Sequence, residues 1–264
     1  MLVSVVSDVH GNIDGLKRAA DEAELLVVLG DLLEYVDYYE PSNGILGLVF
    51  GPAAVATLAH LRTAGNFAEM HAYNQQLWGS LAAPAATLEE IVRDEYQRFL
   101  DVLPLTTLVT LGNVDQPSVW DAMAPADLRH LDGETVDVDG IRLGFVAGGS
   151  LKMPDVGSPW TYYERTPDDY RAALDLVGRV DVLCTHVPPD IPDLRFDTAA
   201  QRPEMCGPGL LEAIERLNPA LALSGHVHHP LRREGVHGST RCVNVGYFKR
   251  NPTPFVVDTG WLGS

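Results

Sequence analysis

Seven residues of this chain carry side chains that bind divalent cations, and each stands just past a run of apolar residues. Asp8 and His10 lie in Ser7-Asp8-Val9-His10-Gly11-Asn12, Asp31 in Gly30-Asp31, and Asn113 in Gly112-Asn113-Val114-Asp115. His186 opens His186-Val187-Pro188-Pro189, and His226 and His228 stand in Ser224-Gly225-His226-Val227-His228-His229. Carboxylate, amide oxygen and imidazole are donors that such cations accept. A single turn aspartate or histidine more often serves capping or packing, and Asn12 is itself placed to cap a helix. His60, His71, His130 and His237 lack the placement and read as ordinary residues. Repetition of the placement is what points to metal chemistry. Two divalent ions ~3.5–4 Å apart, with one carboxylate free to bridge them, can hold a hydroxide and clamp an in-line phosphoryl displacement. The pairs Asp8/His10 and His226/His228 are each separated by one residue, so in extended backbone each pair shares a face.

The elements that must position these residues follow from the apolar pattern. Leu2-Val3-Ser4-Val5-Val6 is predicted to be a buried parallel strand. Residues 13–23 place Ile13, Leu16, Ala19, Ala20 and Ala23 at helical spacing. Leu25-Leu26-Val27-Val28-Leu29 is a second strand, ending at Gly30-Asp31. In open α/β sheets ligands bind at the carboxyl ends of strands. From 36 to 104 the alternation lapses. Pro41-Ser42-Asn43-Gly44 is a loop signal, and residues 53–61, 67–81 and 88–103 read as three helices. Thr87 with Glu90 forms a capping box for the third, and Pro104 stops it. The block is too long for an ordinary connection. It is a helical insertion that either packs on the body of the fold or overhangs the site as a cap, and it is expected to be a removable specificity element. Residues 106–111 resume the strand pattern. Residues 128–131 and 134–138 read as short strands, and Asp139-Gly140 turns into another at 141–146. The stretch 153–167, with Trp160, Tyr162 and Tyr163, reads as an ordered surface loop. A helix at 168–177, a strand at 180–185, a loop to 208, a helix at 209–217 and a strand at 220–223 follow. Residues 231–233, 240–245 and 255–257 suggest an antiparallel finish.

A chain of 264 residues can bury a substantial core as one domain spanning 1–264. Its 46% hydrophobic and 21% charged content is ordinary for a soluble globular protein. A net charge of -17 argues against binding to a phosphate backbone, so a nuclease is disfavoured. Cys184, Cys206 and Cys242 lack zinc-finger or Cys-x-x-Cys spacing. The first strand begins at once and no apolar run approaches about 18 residues. The expectation is a cytoplasmic protein without membrane association. Oligomeric state is not legible.

The ordered set Asp8-Val9-His10, Gly30-Asp31, Gly112-Asn113, His186 and Gly225-His226-Val227-His228 resembles the calcineurin-like metallophosphoesterases over nearly the whole chain, the block 36–104 excepted. The resemblance implies a four-layer α/β/β/α sandwich of the α/β class with its site across the strand ends. It implies one metal on Asp8, His10 and His228 and another on Asn113, His186 and His226, with Asp31 bridging. Manganese is the metal it favours, while the donor set also suits Fe, Zn and Ni. Val114 departs from the family pattern, which has a histidine there that serves the transferring phosphoryl or the leaving group. A general acid contributes about 10²–10⁴-fold. With Asp31 and Asn113 as catalytic residues, His229 is the candidate substitute for the lost acid. The expected activity is hydrolysis of a small phosphodiester, with a phosphomonoesterase or a catalytically weak scaffold of the same fold as alternatives.

Overall fold

The computed structural model describes residues 1–149 and 157–262. Strand β1 (Leu2–Val6), helix α1 (Ile13–Glu22) and strand β2 (Leu25–Leu29) come first. Four helices follow: α2 (Gly44–Phe50), α3 (Pro52–Thr63), α4 (Phe67–Gly79) and α5 (Pro84–Leu100). Then come β3 (Leu108–Thr110), α6 (Pro117–Met123), the hairpin β4 (Glu134–Val138) and β5 (Ile141–Val146), α7 (Pro167–Leu176) and β6 (Val182–Thr185). Helix α8 (Pro192–Arg195) precedes a small hairpin of β7 (Phe196–Asp197) and β8 (Arg202–Pro203). The chain continues through α9 (Leu210–Leu217), β9 (Leu221–Ser224), β10 (Glu234–His237), β11 (Thr240–Asn244), β12 (Phe255–Asp258) and α10 (Thr259–Leu262).

Two sheets result. One has the order β12-β1-β2-β3 and the other β10-β11-β9-β6-β5-β4. β1, β2 and β3 run parallel, with β12 antiparallel at the edge. In the larger sheet β11, β9, β6 and β5 run parallel and both edges, β10 and β4, are antiparallel. Period-two alternation builds the layers from here. Leu25, Val27 and Leu29 of β2 face Leu143, Phe145, Val182 and Leu223 of the other sheet in a shared central core. Leu26 and Val28 turn to the opposite face, against Leu16 and Ala20 of α1. Leu183 and Ala222 likewise leave the centre to pack on Tyr170 and Leu174 of α7 and Ile214 of α9. Helix, sheet, sheet, helix is therefore the order of layers, as the family resemblance implies. No helix among the described residues is long and apolar enough to cross a membrane.

Several local expectations are corrected. The block 36–104 holds four helices, because Gly44–Phe50 is helical although it follows a loop signal. Gly47 lies so close to the backbone of Pro41 and Ser42 that a Cβ there would collide. Thr87 is not a helix cap: α5 begins at Pro84, and the Thr87 hydroxyl donates to the Ala83 carbonyl one turn back at 3.1 Å. Proline at the first position, where no N–H is needed, sets the start. Residues 126–128 form a 3₁₀ turn, and only His130 makes a bridge, to Val109. The expected strand at 231–233 lies instead at Glu234–His237, and β11 joins its sheet in parallel, so the finish is only partly antiparallel. The loop before residue 208 contains α8 and the β7–β8 hairpin. Of the expected loop 153–167, residues 153–156 lie outside the described residues, while Trp160 is buried against the core.

The block also shares its packing with the body of the fold. Val55, Trp78, Val92, Tyr96 and Phe99 enter the same core as Val6, Val28, Leu16 and Trp120. The Tyr96 hydroxyl accepts the Gln116 backbone N–H at 2.7 Å, and Tyr35 accepts hydrogen bonds from Asn74 and Trp78. Phe99→Ala, within the block, is expected to cost about 3–5 kcal/mol of the stability of the whole chain. Urea unfolding followed by tryptophan fluorescence and far-UV CD should show one transition moved to lower urea. Separate transitions, with only one displaced, would show that the block folds on its own.

Candidate metal centre

The site is built where strands of both sheets end. Asp8 (φ 56°), His10 (φ 44°), Asp31 (φ 52°) and His226 (φ 67°) adopt left-handed backbone, not the extended form that a shared face would require. This conformation costs of order 1–3 kcal/mol per non-glycine residue and persists only where surrounding bonds hold it. Those bonds run from turn to turn. The Asp8 N–H donates to the Gly30 carbonyl at 3.0 Å, His10 to Asp31 at 2.9 Å and Gly11 to Leu32 at 2.9 Å. Both oxygens of Asp8 accept the His226 N–H, at 2.9 and 3.1 Å, which ties the first sheet to the second. Asp115 accepts the N–H groups of Leu32, Leu33 and Gly112 at 3.0, 3.1 and 2.8 Å, joining the turns after β2 and β3. Asn244 donates to the carbonyls of Gly225 and Val227 at 3.1 and 2.9 Å. Glycine is required at two of these turns by space: a Cβ at Gly112 would strike Asp31, and one at Gly225 would strike Ser7 and Asp8.

All seven strand-end residues come together. Asp8, His10 and His228 form one group of potential ligand atoms, and Asp31, His186 and His226 form another, each with its ligand atoms within 4.8 Å of one another. His226 and His228 therefore serve different groups although they are one residue apart. Asp31 faces both: Oδ1 lies 3.3 Å from His186 Nε2, and Oδ2 lies 3.7 Å from His10 Nε2. The Asn113 amide oxygen stands 3.0 Å from His186 Nε2. The Val114 N–H donates to Asp31 Oδ1 at 3.0 Å.

Hydrogen bonding behind the ligands fits them for cations. His10 Nδ1 lies 2.9 Å from the Leu33 carbonyl, and His186 Nδ1 lies 2.8 Å from the Leu29 carbonyl. A carbonyl only accepts, so both Nδ1 atoms carry protons and each Nε2 is the nitrogen turned inward, which at His186 a cation would reach by displacing a proton. Nε2 of His10 and of His228 face each other at 3.2 Å. Buried Nε2 of His226 has no hydrogen-bond partner. Inward-turned ring nitrogens and an orphaned buried nitrogen make a donor set that suits a cation.

Electrostatics point the same way. Burial pushes the Asp8 carboxyl up, but its hydrogen bond and charge interaction with His228, helped by His186, bring it below the usual range. Burial likewise works against ionised Asp31, yet His186, with His10 and His226, holds it far below that range. His186 is opposed by burial and raised by Asp31 to about 9. Burial and the neighbouring His186 hold His226 down at about 4. Burial and the charge of Asp31 raise Asp115 to about 7. The metal-free cluster thus keeps both ligand carboxylates charged and His226 neutral at neutral pH, and a cation at His186 displaces a proton.

A cavity of about 470 Å³ opens over these groups, with Asp31, Asn113, His226 and His228 in its floor. The inserted block supplies Tyr38, Leu46, Leu58, Arg62 and Met70 to its wall, besides packing on the body of the fold. Val114 lines the cavity, and His229 lies exposed at its edge. His130 and His237 stand elsewhere, paired with Asp121 and Glu215.

Three features escaped the sequence reading. Tyr247 stacks on His228 at 3.9 Å and 8° between rings. It follows β11 directly, so the strand-end placement that marked the ligands also marked it. Asp197 binds the His229 N–H at 3.2 Å, anchoring the β7–β8 hairpin at the cavity rim. Lys249 pairs with Glu34, and with Asp37 at 2.6 Å. No local pattern announces an ion pair across more than 200 residues, here separations of 215 and 212.

Comparison with known proteins agrees with this architecture. No curated protein sequence matches the chain. One solved crystal structure superimposes with a TM-score of 0.60 at 16% identity, covering 98% of this chain and 95% of its own. The crystal structure of TT1561 of Thermus thermophilus superimposes with a TM-score of 0.51 at 11% identity, covering 97% and 98% respectively. At those identities the likeness concerns fold alone. The family model of the calcineurin-like phosphoesterases matches residues 1–230, a span holding all seven strand-end donors. The chain belongs to the calcineurin-like phosphoesterases.

Proposed function

We propose that this protein hydrolyses a small phosphodiester with the help of two divalent cations. The observation that carries the reading is Asp31, which presents one carboxylate oxygen to each of two donor groups. Asp8, His10 and His228 would hold one cation and Asn113, His186 and His226 the other, with Asp31 shared. Such cations, when bound, activate water near neutral pH and stabilise charge on the phosphoryl oxygens. Manganese is the cation we favour, and Fe, Zn and Ni suit the same donors.

The chain's own residues do the positioning. The Leu29 and Leu33 carbonyls orient His186 and His10, Tyr247 braces the ring of His228, and the Val114 N–H aims the Asp31 carboxylate. Groups held in place in advance stabilise developing charge without reorganising. A cavity of about 470 Å³ is sized for a small molecule. A scaffold function is disfavoured, since a buried cluster of converging donors lowers stability unless something binds it.

The expulsion of the leaving group is the step for which the wall offers least. Val114 carries no proton. Outside the two donor groups, His229 is the one imidazole in the cavity lining among the described residues, and from the exposed rim we assign it no more than a partial role as acid. An activated aryl alcohol leaves without one, whereas an alkoxide does not.

Asp31→Asn should abolish the shared charge, lose at least one metal and lower kcat by about 10²–10³-fold or more. Elemental analysis and turnover of a chromogenic diester check this together. A variant with two metals and near-normal turnover would remove Asp31 from the shared position. For the wild type, log kcat/KM plotted against leaving-group pKa should fall steeply, and Val114→His should flatten the plot. His229→Ala should steepen it further. A shallow wild-type slope that His229→Ala leaves unchanged would show that neither position governs the leaving group. Phosphomonoesters run in the same panel measure the preference for diesters.

A further inference from the structure

The cavity wall contributed by the insertion contains one cationic side chain without a carboxylate partner among the described residues. Glu34 and Asp37 both pair with Lys249. Glu204 pairs with Arg202 at 3.0 Å. Asp197 is saturated by the N–H groups of Ala199, Ala200 and His229. Arg62 is the sole arginine or lysine lining the cavity among the described residues, and it has no carboxylate within ion-pair distance there. Its guanidinium instead lies over the Tyr38 ring, 4.4 Å from the centroid. The guanidinium also hydrogen-bonds the Tyr38 side chain, and with five N–H donors it keeps others for a planar or tetrahedral anion. Arg62 sits in the last turn of α3, where any cation suits the helix dipole. That does not explain why it is laid against the wall of a catalytic cavity. The lining that Arg62 shares also offers apolar surface from Tyr38, Leu46, Leu58, Met70 and Val114. The whole chain carries -17 charge, which repels anions at long range, so a local cation has the more to do.

We propose that Arg62 binds a second anionic group of the substrate. The substrate class is then a phosphoester with its reacting phosphoryl at the donor groups, an apolar body along Tyr38, Leu58 and Met70, and a carboxylate or further phosphate at Arg62. This rests on the phosphoesterase reading above and extends it from reaction to substrate.

The test uses two diesters with the same leaving group, p-nitrophenyl p-carboxyphenyl phosphate and p-nitrophenyl phenyl phosphate, on the metal-loaded full chain. Wild type should favour the carboxylated ester in kcat/KM by roughly tenfold, the scale of one charge-assisted contact, with the gain in KM. Arg62→Gln should bring that ratio close to one, and Arg62→Lys should restore part of it. A wild-type ratio near one, or a ratio that Arg62→Gln does not alter, overturns the proposal. Adding p-nitrophenyl esters with a terminal phosphate in place of the carboxylate distinguishes the two anions. A binding arm separates this proposal from the activity: calorimetric titration of p-carboxyphenylphosphonate and phenylphosphonate into wild type and Arg62→Gln. Tighter binding of the carboxylated phosphonate only when Arg62 is present supports the anion site even if neither ester is turned over. Equal binding of the two phosphonates by wild type overturns it even if both esters are hydrolysed.

Discussion

The structure depends on one unfavourable juxtaposition: two buried carboxylates and four imidazoles gathered so that the potential ligand atoms of each group lie within 4.8 Å of one another. Desolvated groups of this kind repay their burial only when a partner satisfies them. Inside the protein part of that satisfaction is already present. Asp8 holds the His226 N–H, Asp31 holds the Val114 N–H, and backbone carbonyls fix His10 and His186. What is left unsatisfied points into one cavity, and Nε2 of His226 is the plainest case. The left-handed turns at Asp8, His10, Asp31 and His226 are a cost of the same arrangement, borne by the bonds between turns.

Neither sheet holds the site alone. β1, β2 and β3 present Asp8, His10, Asp31 and Asn113, while β6 and β9 present His186, His226 and His228. The two halves meet because the central faces of the sheets bury Val5, Val27, Phe145 and Leu223 against one another. Packing of that core and geometry of the cluster are therefore one event. The absence of side chains at Gly112 and Gly225 lets opposing turns close to the distances that the ligands need. A methyl group at either would push the sheets' ends apart where the cluster is formed.

The insertion extends the same logic outward. It shares the core of the first helical layer through Val92, Tyr96 and Phe99 and is tied at its root by Lys249 with Glu34 and Asp37. Because the Lys249 backbone also bonds Asp8 and Asn12, a residue beside the ligands anchors the cavity wall. The donor groups and the cavity wall thus lie on separate segments held in fixed relation.

By itself the sequence singled out the seven strand-end residues that the structure gathers, the parallel strands that carry them and the layered class of the fold. Each of these is written in short range, as an apolar run followed by a small residue and a ligand, and period-two alternation marks both faces of every central strand. It determined less where local signals conflict with packing. Gly44–Phe50 is helical despite its glycines because buried Ile45 and Leu46 dock into the core, and Thr87 is overruled as a cap by Pro84. Only the tertiary structure decided that His226 and His228 part company, that Asp31 faces both groups, that Asp115 clamps two turns, and that Arg62 and Tyr38 wall the cavity. These are relations between segments many tens of residues apart. They arise from how turns of two sheets interlock, and no local spacing encodes the direction in which a left-handed turn aims its side chain.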